Sequence, residues 1–491
     1  MRKTAALLIA LSLIHQILVS NDSSAPLFSN LLGPVRANMP WKHGRVTNAP
    51  NGDICITGPI ALKGFTMAPE GWDTHINQHK CLIIRLSADG KIIANTLFGS
   101  SKQTYPYAIT TDNEGFVYVA GGTNATDLPT TQGAYDNTYN GGKWGDGWIA
   151  KFSPDLTKLI FATYFGSEDS EEIWDLSIDP EGNICVMGGT LGSNFPVTEG
   201  SYDTTHNGGE FGDGVVAKFT SDGKRLLFST FVGGNGTDMP AGLAVDQEGN
   251  VLIGGLTESK DYPIVNSPSD KALSGEKDLG ISLVSSDGSK LIFSQLFGGF
   301  KNENASRFVY LKDGSIVFAC NTSSPDYPVV EGTERKQLRG TQDILIAQLS
   351  KNGELRFSSI FGGSDYEELS HVFLDDSGRI VIVGLTKSKD FPTTKNAADR
   401  HLGGEIDCFA LVFDLKNQKI DYATYLGGNS SESGMQGAVA GRNRILVSGI
   451  TQSTDFPVTD DSHFKNFENT KWGKGGGNLF ITLIDTAQPN P

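Results

Sequence analysis

Across residues 241–299 the apolar positions fall into four short runs, at 243–245, 251–253, 279–284 and 291–297, with polar segments between them. Asp246-Gln247-Glu248-Gly249 joins the first two runs and Ser286-Asp287-Gly288 the last two. A D-x-x-G step between β-rich runs predicts a hairpin, because Asp bonds its own following backbone and Gly supplies the positive φ of the turn. The runs lack the 3.6-residue period of an amphipathic helix, and apolar and polar residues do not alternate strictly within them. Four strands in meander order, each sheet packed on both faces, are therefore predicted, with little helix.

The same unit returns along the chain. A motif T-x-x-x-[DN]-[FYL]-P begins at Thr123, Thr190, Thr257, Thr322, Thr386 and Thr451, in steps of 64 to 67 residues. A period of that length marks a repeat architecture, and four strands per repeat is the make-up of a propeller blade. The turn glycines Gly52, Gly115, Gly182, Gly249, Gly314 and Gly378 count six blades, and Arg442 to Gly449 adds a degenerate seventh with Asn443 in the glycine's place. The expected fold is all-β, a seven-bladed β-propeller of four-stranded antiparallel blades forming one domain over residues 26–485. The last repeat reaches its third strand, residues 479–484, without a fourth, while residues 28–33 align with a fourth strand at 357–362. Residues 26–33 are therefore expected to complete the final blade and close the ring, removing the open sheet edges.

These residues resemble the SBBP-type β-propeller repeat of secreted bacterial proteins. The pattern D-x-x-G-N-[IV]-x-[IV]-x-G-x-T-x-S-x-D-[FY]-P is met in full from Asp246 to Pro263, G-D-x-x-x-A-K-F from Gly212 to Phe219, and S-T-[YF]-x-G-G from Ser229 to Gly234. The resemblance spans roughly residues 26–484. It departs most in the first repeat, where no D-[FY]-P follows Thr57. It implies a secreted propeller and no shared enzymatic activity, since one fold carries many functions.

Met1-Arg2-Lys3 followed by an apolar stretch over residues 5–19, broken by His15 and Gln16, reads as a secretory signal peptide over residues 1–22. Residues 486–491 form a short tail, no other stretch is a candidate membrane span, and secretion or a periplasmic location is expected. A net charge of −16 without a Lys/Arg run argues against nucleic acid as a partner. The five cysteines, Cys55, Cys81, Cys185, Cys320 and Cys408, are dispersed and read as small buried side chains, with a Cys55–Cys81 bridge the one pairing left open.

Candidate chemistry lies where the repeats differ. Aligned on the turn glycine, Arg45, Ala108, Asp175, Gly242, Arg307 and His371 occupy one equivalent position. Asp175, Arg307 and His371, with His43 and Trp174 beside them, are expected to converge at the channel mouth. There, Arg with His would suit binding or deprotonating a uronic acid; the alternative is a set of solvated channel residues paired with one another. The loops between second and third strands carry aromatics, Tyr135 to Trp148 with Trp144 in it, Tyr202 to Phe211, and Trp472. Such rings either stack on sugars or cap blade edges. Asp146, Asp213, Asp278, Asp343 and Asp407 recur before the third strand; no D-x-D-x-D-G loop accompanies them, and bonding to nearby backbone amides is expected, with calcium in the acidic loops left open. The [DN] of the repeated motif reads as a turn residue. His75 and His79 stand at i and i+4 without H-E-x-x-H, and no metal site is expected.

The sequence thus points to a monomeric, exported binding or interaction module for a glycan or a surface protein. Arg45, Trp174, Asp175, Arg307, His371, Trp144 and Trp148 are its candidate ligand residues. The alternatives are a polysaccharide lyase or hydrolase using His371, Arg307 and Asp175, or a structural surface protein without a specific ligand.

Overall fold

Each D-x-x-G step is a hairpin turn in the computed structural model of the chain, which describes residues 28–35, 45–58, 67–76, 79–209, 212–268, 272–327, 329–330, 337–459 and 477–487. The six turn glycines have φ between +77° and +85°, and Asn443, standing in the seventh turn, has φ +56°. Asparagine is among the few residues that tolerate this left-handed region, which is why the degenerate repeat still turns.

The strands of the described residues assemble into seven four-stranded antiparallel sheets. The first strand of each sheet is innermost: Arg45–Asn48, Thr104–Thr111, Glu171–Ile178, Asp238–Val245, Glu303–Tyr310, Glu367–Leu374 and Glu432–Val439. Each packs beside the next, and Glu432–Val439 packs against Arg45–Asn48, so the seven sheets form a closed ring around a channel. The strand Phe28–Val35 pairs antiparallel with Gly477–Asp485 and supplies the fourth strand of the last blade, as the chain ends predicted.

The core is divided among the blade interfaces. Seven clusters of buried apolar residues each draw on two neighbouring blades; one joins Cys55, Ile83 and Phe98 to Val119 and Trp148, and another joins Val46 and Ile84 to Leu446 and Ile481 across the seam. A sheet covered on both faces needs apolar residues on both, which explains runs such as Ile380–Thr386 that are buried almost throughout. All five cysteines are free and buried in these strands. Cys55 pairs in register with Arg85 and Cys81 with Phe98, so the Cys55–Cys81 bridge does not form.

Candidate functional site

The innermost strands carry a register shift at equivalent places, between Pro106 and Ala108, Ile173 and Asp175, Pro240 and Gly242, Asn304 and Arg307, Leu369 and His371, and Ser433 and Gln436. A bulge re-aims the side chain that follows it. Here it sets Ala108, Asp175, Gly242, Arg307, His371 and Gln436 at one level, joined by Arg45. That level is the fifth residue of the eight in Glu171–Ile178, Glu303–Tyr310 and Glu367–Leu374, half-way down the channel. The sequence placed the set near the strand starts at the mouth; the bulge and the three residues before it put it deeper. Gln436 completes the level at the same spacing from Asn443 that the other members keep from their glycines, a signal present in the degenerate seventh repeat.

Arg45, Asp175, Arg307 and His371 do converge. Each is half-buried. Burial pushes the Asp175 carboxyl up, against the pull of the Arg307 and Arg45 guanidinium groups. Burial lowers Arg45 while Asp175 supports its charge, and burial together with Arg45 lowers Arg307 to about 10. His371 is lowered to about 3 by burial and then by Arg307 and Arg45. Asp175, Arg307 and His371 are also tied to neighbouring blades. Asp175 accepts from the N–H of Leu176 at 2.9 Å and of Leu243 at 3.3 Å, and the Arg307 Nη1 donates to the Ala241 carbonyl. The Nδ1 of His371 accepts from the Gly437 N–H at 3.3 Å. A neutral imidazole whose Nδ1 is an acceptor carries its proton on Nε2, so His371 offers a donor and not a lone pair at its other nitrogen. A cavity of about 290 Å³ is lined at this level by Asp175, Arg307 and His371, and below it by the residues that follow toward the D-x-x-G turns, with Val46, next to Arg45, among them.

A second hollow, of about 300 Å³, lies at the opposite end of the innermost strands, lined by Trp144, Ser170, Glu172, Trp174, Leu191 and Met239. Trp144 is 42% exposed, with its backbone N–H donating to Ser170 Oγ at 3.0 Å. Trp174 lies so close on Gly189 that a Cβ there would stand 2.4 Å from the indole, so only glycine fits beneath it. Glu172 accepts from Trp174 Nε1 at 3.2 Å and from the Tyr107 hydroxyl at 2.8 Å, which fixes the carboxylate beside the two indoles. Sequence reasoning did not single out Glu172 or Met239, because both belong to the strand and not to the aromatic loop.

Trp148, taken from the sequence as a ligand residue, requires a correction. It is fully buried, packs on Phe98 at 4.8 Å between centroids, and donates Nε1 to the Gly122 carbonyl at 3.1 Å. It faces inward because it lies inside the strand Asp146–Phe152 and not in the loop before it. Tyr135 packs edge-on to Phe165 and Phe219, and Tyr139 to Tyr164, so these loop aromatics cap blade edges. His43 and Trp472 lie outside the described residues, as do residues 1–27 with the expected leader.

The recurring carboxylates are structural. Asp146 accepts from the N–H groups of Asn140 and Gly141 at 2.7 and 3.0 Å, and Asp407 from those of Gly403 and Gly404 at 2.7 and 3.2 Å. The motif threonines donate to the first residue of the innermost strand, Thr190 to Glu171, Thr322 to Glu303 and Thr451 to Glu432, each at 2.7 Å. The motif aspartates Asp261, Asp326, Asp390 and Asp455 accept N–H bonds from Asn235, Phe300, Ser364 and Asn429. The carboxylate oxygens that accept these N–H and O–H bonds act as staples of the loops. Among the described residues, no three His, Cys, Asp or Glu side chains group as a metal site. His75 is an exposed loop residue near Asp73. Among the described residues, no helix is long and apolar enough to cross a membrane.

The SBBP beta-propeller repeat matches residues 92–129 and 227–263. Both matches run from the outermost strand of one blade to the motif proline of the next, Pro129 and Pro263. No curated protein matches the chain. Among solved structures it is similar to a protein of unknown function from Dyadobacter fermentans DSM 18053, at 11% identity over 94% of this chain and 99% of that one, TM-score 0.43. It is similar to the WD40 domain of Toxoplasma gondii coronin at 8% identity over 95% and 89%, TM-score 0.47. It is similar to Penicillium chrysogenum alpha-L-arabinanase, solved with arabinobiose, at 14% identity over 80% and 100%, TM-score 0.42. At these identities and scores they bear on neither ligand nor chemistry. The chain is a seven-bladed β-propeller carrying SBBP beta-propeller repeats.

Proposed function

We propose that this propeller is an exported, monomeric carbohydrate-binding module that holds a sugar in the hollow between Trp144 and Trp174. The observation that carries this reading is an indole left 42% exposed beside a second indole and a fixed carboxylate. An aromatic face accepts the apolar face of a pyranose, and Glu172 can accept hydroxyl protons at its edge. Export rests on the leader-like residues 1–22.

The competing lyase or hydrolase reading finds less support. A general base works best with a pKa near the operating pH and a free lone pair, whereas His371 is lowered to about 3 and its Nδ1 is already an acceptor. A glycan-array screen followed by titration calorimetry tests the proposal. Retention without product release is expected, weakened about fivefold or more by Trp144→Ala, from the roughly 1 kcal/mol of an aromatic contact. Binding indifferent to both Trp144→Ala and Glu172→Gln would sink the sugar site. New reducing or unsaturated ends would restore the enzyme, and silence on every glycan would favour a protein partner or a purely structural role.

A further inference from the structure

The half-way level of the channel is a separate chemical environment from the mouth. It gathers two guanidinium groups, Arg45 and Arg307, the single carboxyl of Asp175, and His371 as a neutral Nε2–H donor. Whether Asp175 is ionised or protonated, the level carries an excess of positive charge, inside a chain whose net charge is −16. Asp175 and Arg307 are both tied to the strand Asp238–Val245, through Leu243 and Ala241, and His371 is tied to Gly437 of the last blade, so the arrangement exists before any ligand arrives. The cavity beside it, about 290 Å³, is the size of a small organic acid.

Glu172 and Glu368 occupy the innermost strands on the mouth side, and on the turn side Glu114, Glu181 and Asp246 line a hollow in which Asp112 and Asp179 are already paired with Lys151 and Lys218 at 3.4 and 3.0 Å. A chain of negative charges would meet repulsion at either rim, whereas one carboxylate meets it once and gains two guanidinium partners.

We infer that Arg45, Arg307 and His371 form a binding site for a small monoanionic carboxylate within the channel, distinct from the aromatic hollow at the mouth and independent of its ligand. The carboxylate is held by the Arg307 guanidinium and accepts from His371 Nε2–H, Arg45 adds its charge from beside the cavity, and Asp175 is the internal counter-charge.

Calorimetry and thermal shift with galacturonate, acetate, galactose, sodium chloride and an oligogalacturonate test this on the full-length chain. Galacturonate is expected to bind and to raise Tm, weakening as salt is added, whereas any galactose signal comes from the sugar hollow and survives Arg307→Gln. Arg307→Gln and Arg45→Gln each weaken galacturonate binding about 10-fold or more, the usual effect of losing a hydrogen bond to a charged group. Acetate, which has no ring for the sugar hollow, is expected to compete with galacturonate and to lose that effect in Arg307→Gln, which separates this site from the sugar hollow. Should an arginine variant fail to fold, Asp175→Asn keeps the shape, removes the competing charge, and is expected to tighten carboxylate binding. The inference is overturned by absence of galacturonate binding at low salt, by galacturonate binding that survives Arg307→Gln and Arg45→Gln in folded protein, by chloride binding as well as galacturonate, by an oligogalacturonate binding more tightly than the monomer, or by Asp175→Asn weakening the acid.

Discussion

Asn48 in the first blade and Val439 in the seventh meet across the seam of the ring. The Asn48 carboxamide accepts the Val439 N–H at 2.9 Å and donates back to the Val439 carbonyl. A side-chain amide thus imitates one rung of a β-ladder between two sheets that are not otherwise paired. Asn48 is also held from the other side, where the Thr111 hydroxyl donates to its carbonyl at 2.7 Å. Asn48→Ala removes the rung and leaves two backbone groups without it, an expected loss of about 1–3 kcal/mol. Denaturant unfolding measures it, and an unchanged midpoint would show the seam to be held by apolar packing alone.

The seam has a second closure in the strand Phe28–Val35. Its Ser29 hydroxyl meets the Thr482 hydroxyl at 3.0 Å, and its Ser29 carbonyl accepts the Thr459 N–H at 2.9 Å. A chain beginning after Val35 would leave Gly477–Asp485 as an open edge, which invites pairing with another chain. Such a truncation is expected to self-associate on size-exclusion chromatography and to melt over a broader range than the intact ring. A truncated protein that elutes as a monomer with an unaltered melt would refute the closure.

Buried carboxylates at the blade junctions give stability a definite pH dependence. Burial, followed by neighbouring carboxylates, raises Asp146 and Asp343 to about 7; burial chiefly raises Glu432 to about 7 and Asp213 and Glu303 to about 6. In the unfolded chain these groups titrate at about 4. The folded state therefore binds more protons between those values, and its stabilisation is present at about pH 4 and lost as pH rises through about 7. His371, lowered to about 3, acts in the opposite sense over a lower range. Tm is expected to fall from pH 6 to pH 8 at fixed ionic strength, and Asp343→Asn to flatten that fall. A Tm that rises over the same interval would contradict it.

Trp144 and Trp148, four residues apart, should behave as opposites. Trp148→Ala empties a fully buried site against Phe98 and is expected to cost about 3–5 kcal/mol. Trp144→Ala, at an exposed ring, is expected to change stability by less than about 0.5 kcal/mol. Chemical denaturation of the two variants distinguishes them.

The cysteines should be inert while the ring is intact. Burial pushes Cys55, Cys81 and Cys185 up to about 12 and Cys320 and Cys408 well above the ordinary thiol value. The thiolate is the reactive form, so thiol reagents are expected to modify none of the five in the native protein and all five after unfolding. Rapid native labelling of Cys55 or Cys185 would indicate local opening of a second strand.

The architecture was legible because it repeats. Period, turn chemistry and chain ends are local features, and the seven turns, the Asn443 substitution and the pairing of residues 28–35 with the last blade follow from them. Equivalent positions were legible for the same reason: the spacing that aligned Arg45, Asp175, Arg307 and His371 is preserved when the repeats close into a ring. Depth and orientation were not. Trp144 and Trp148 belong to one aromatic stretch, yet one is exposed and the other buried, because the strand Asp146–Phe152 begins between them and the preceding blade covers it. The bulge that turns Asp175 and His371 into the mid-channel depends on pairing with a neighbouring strand, and the electrostatics of that level depend on charges contributed by blades more than 60 residues apart in the chain. Blade number, turn geometry and the way the ring closes are written in the order of residues, since each rests on short-range backbone chemistry repeated in phase. Which side chains meet is a property of the folded ring alone, since burial and charge pairing arise between segments that the chain holds far apart until it closes.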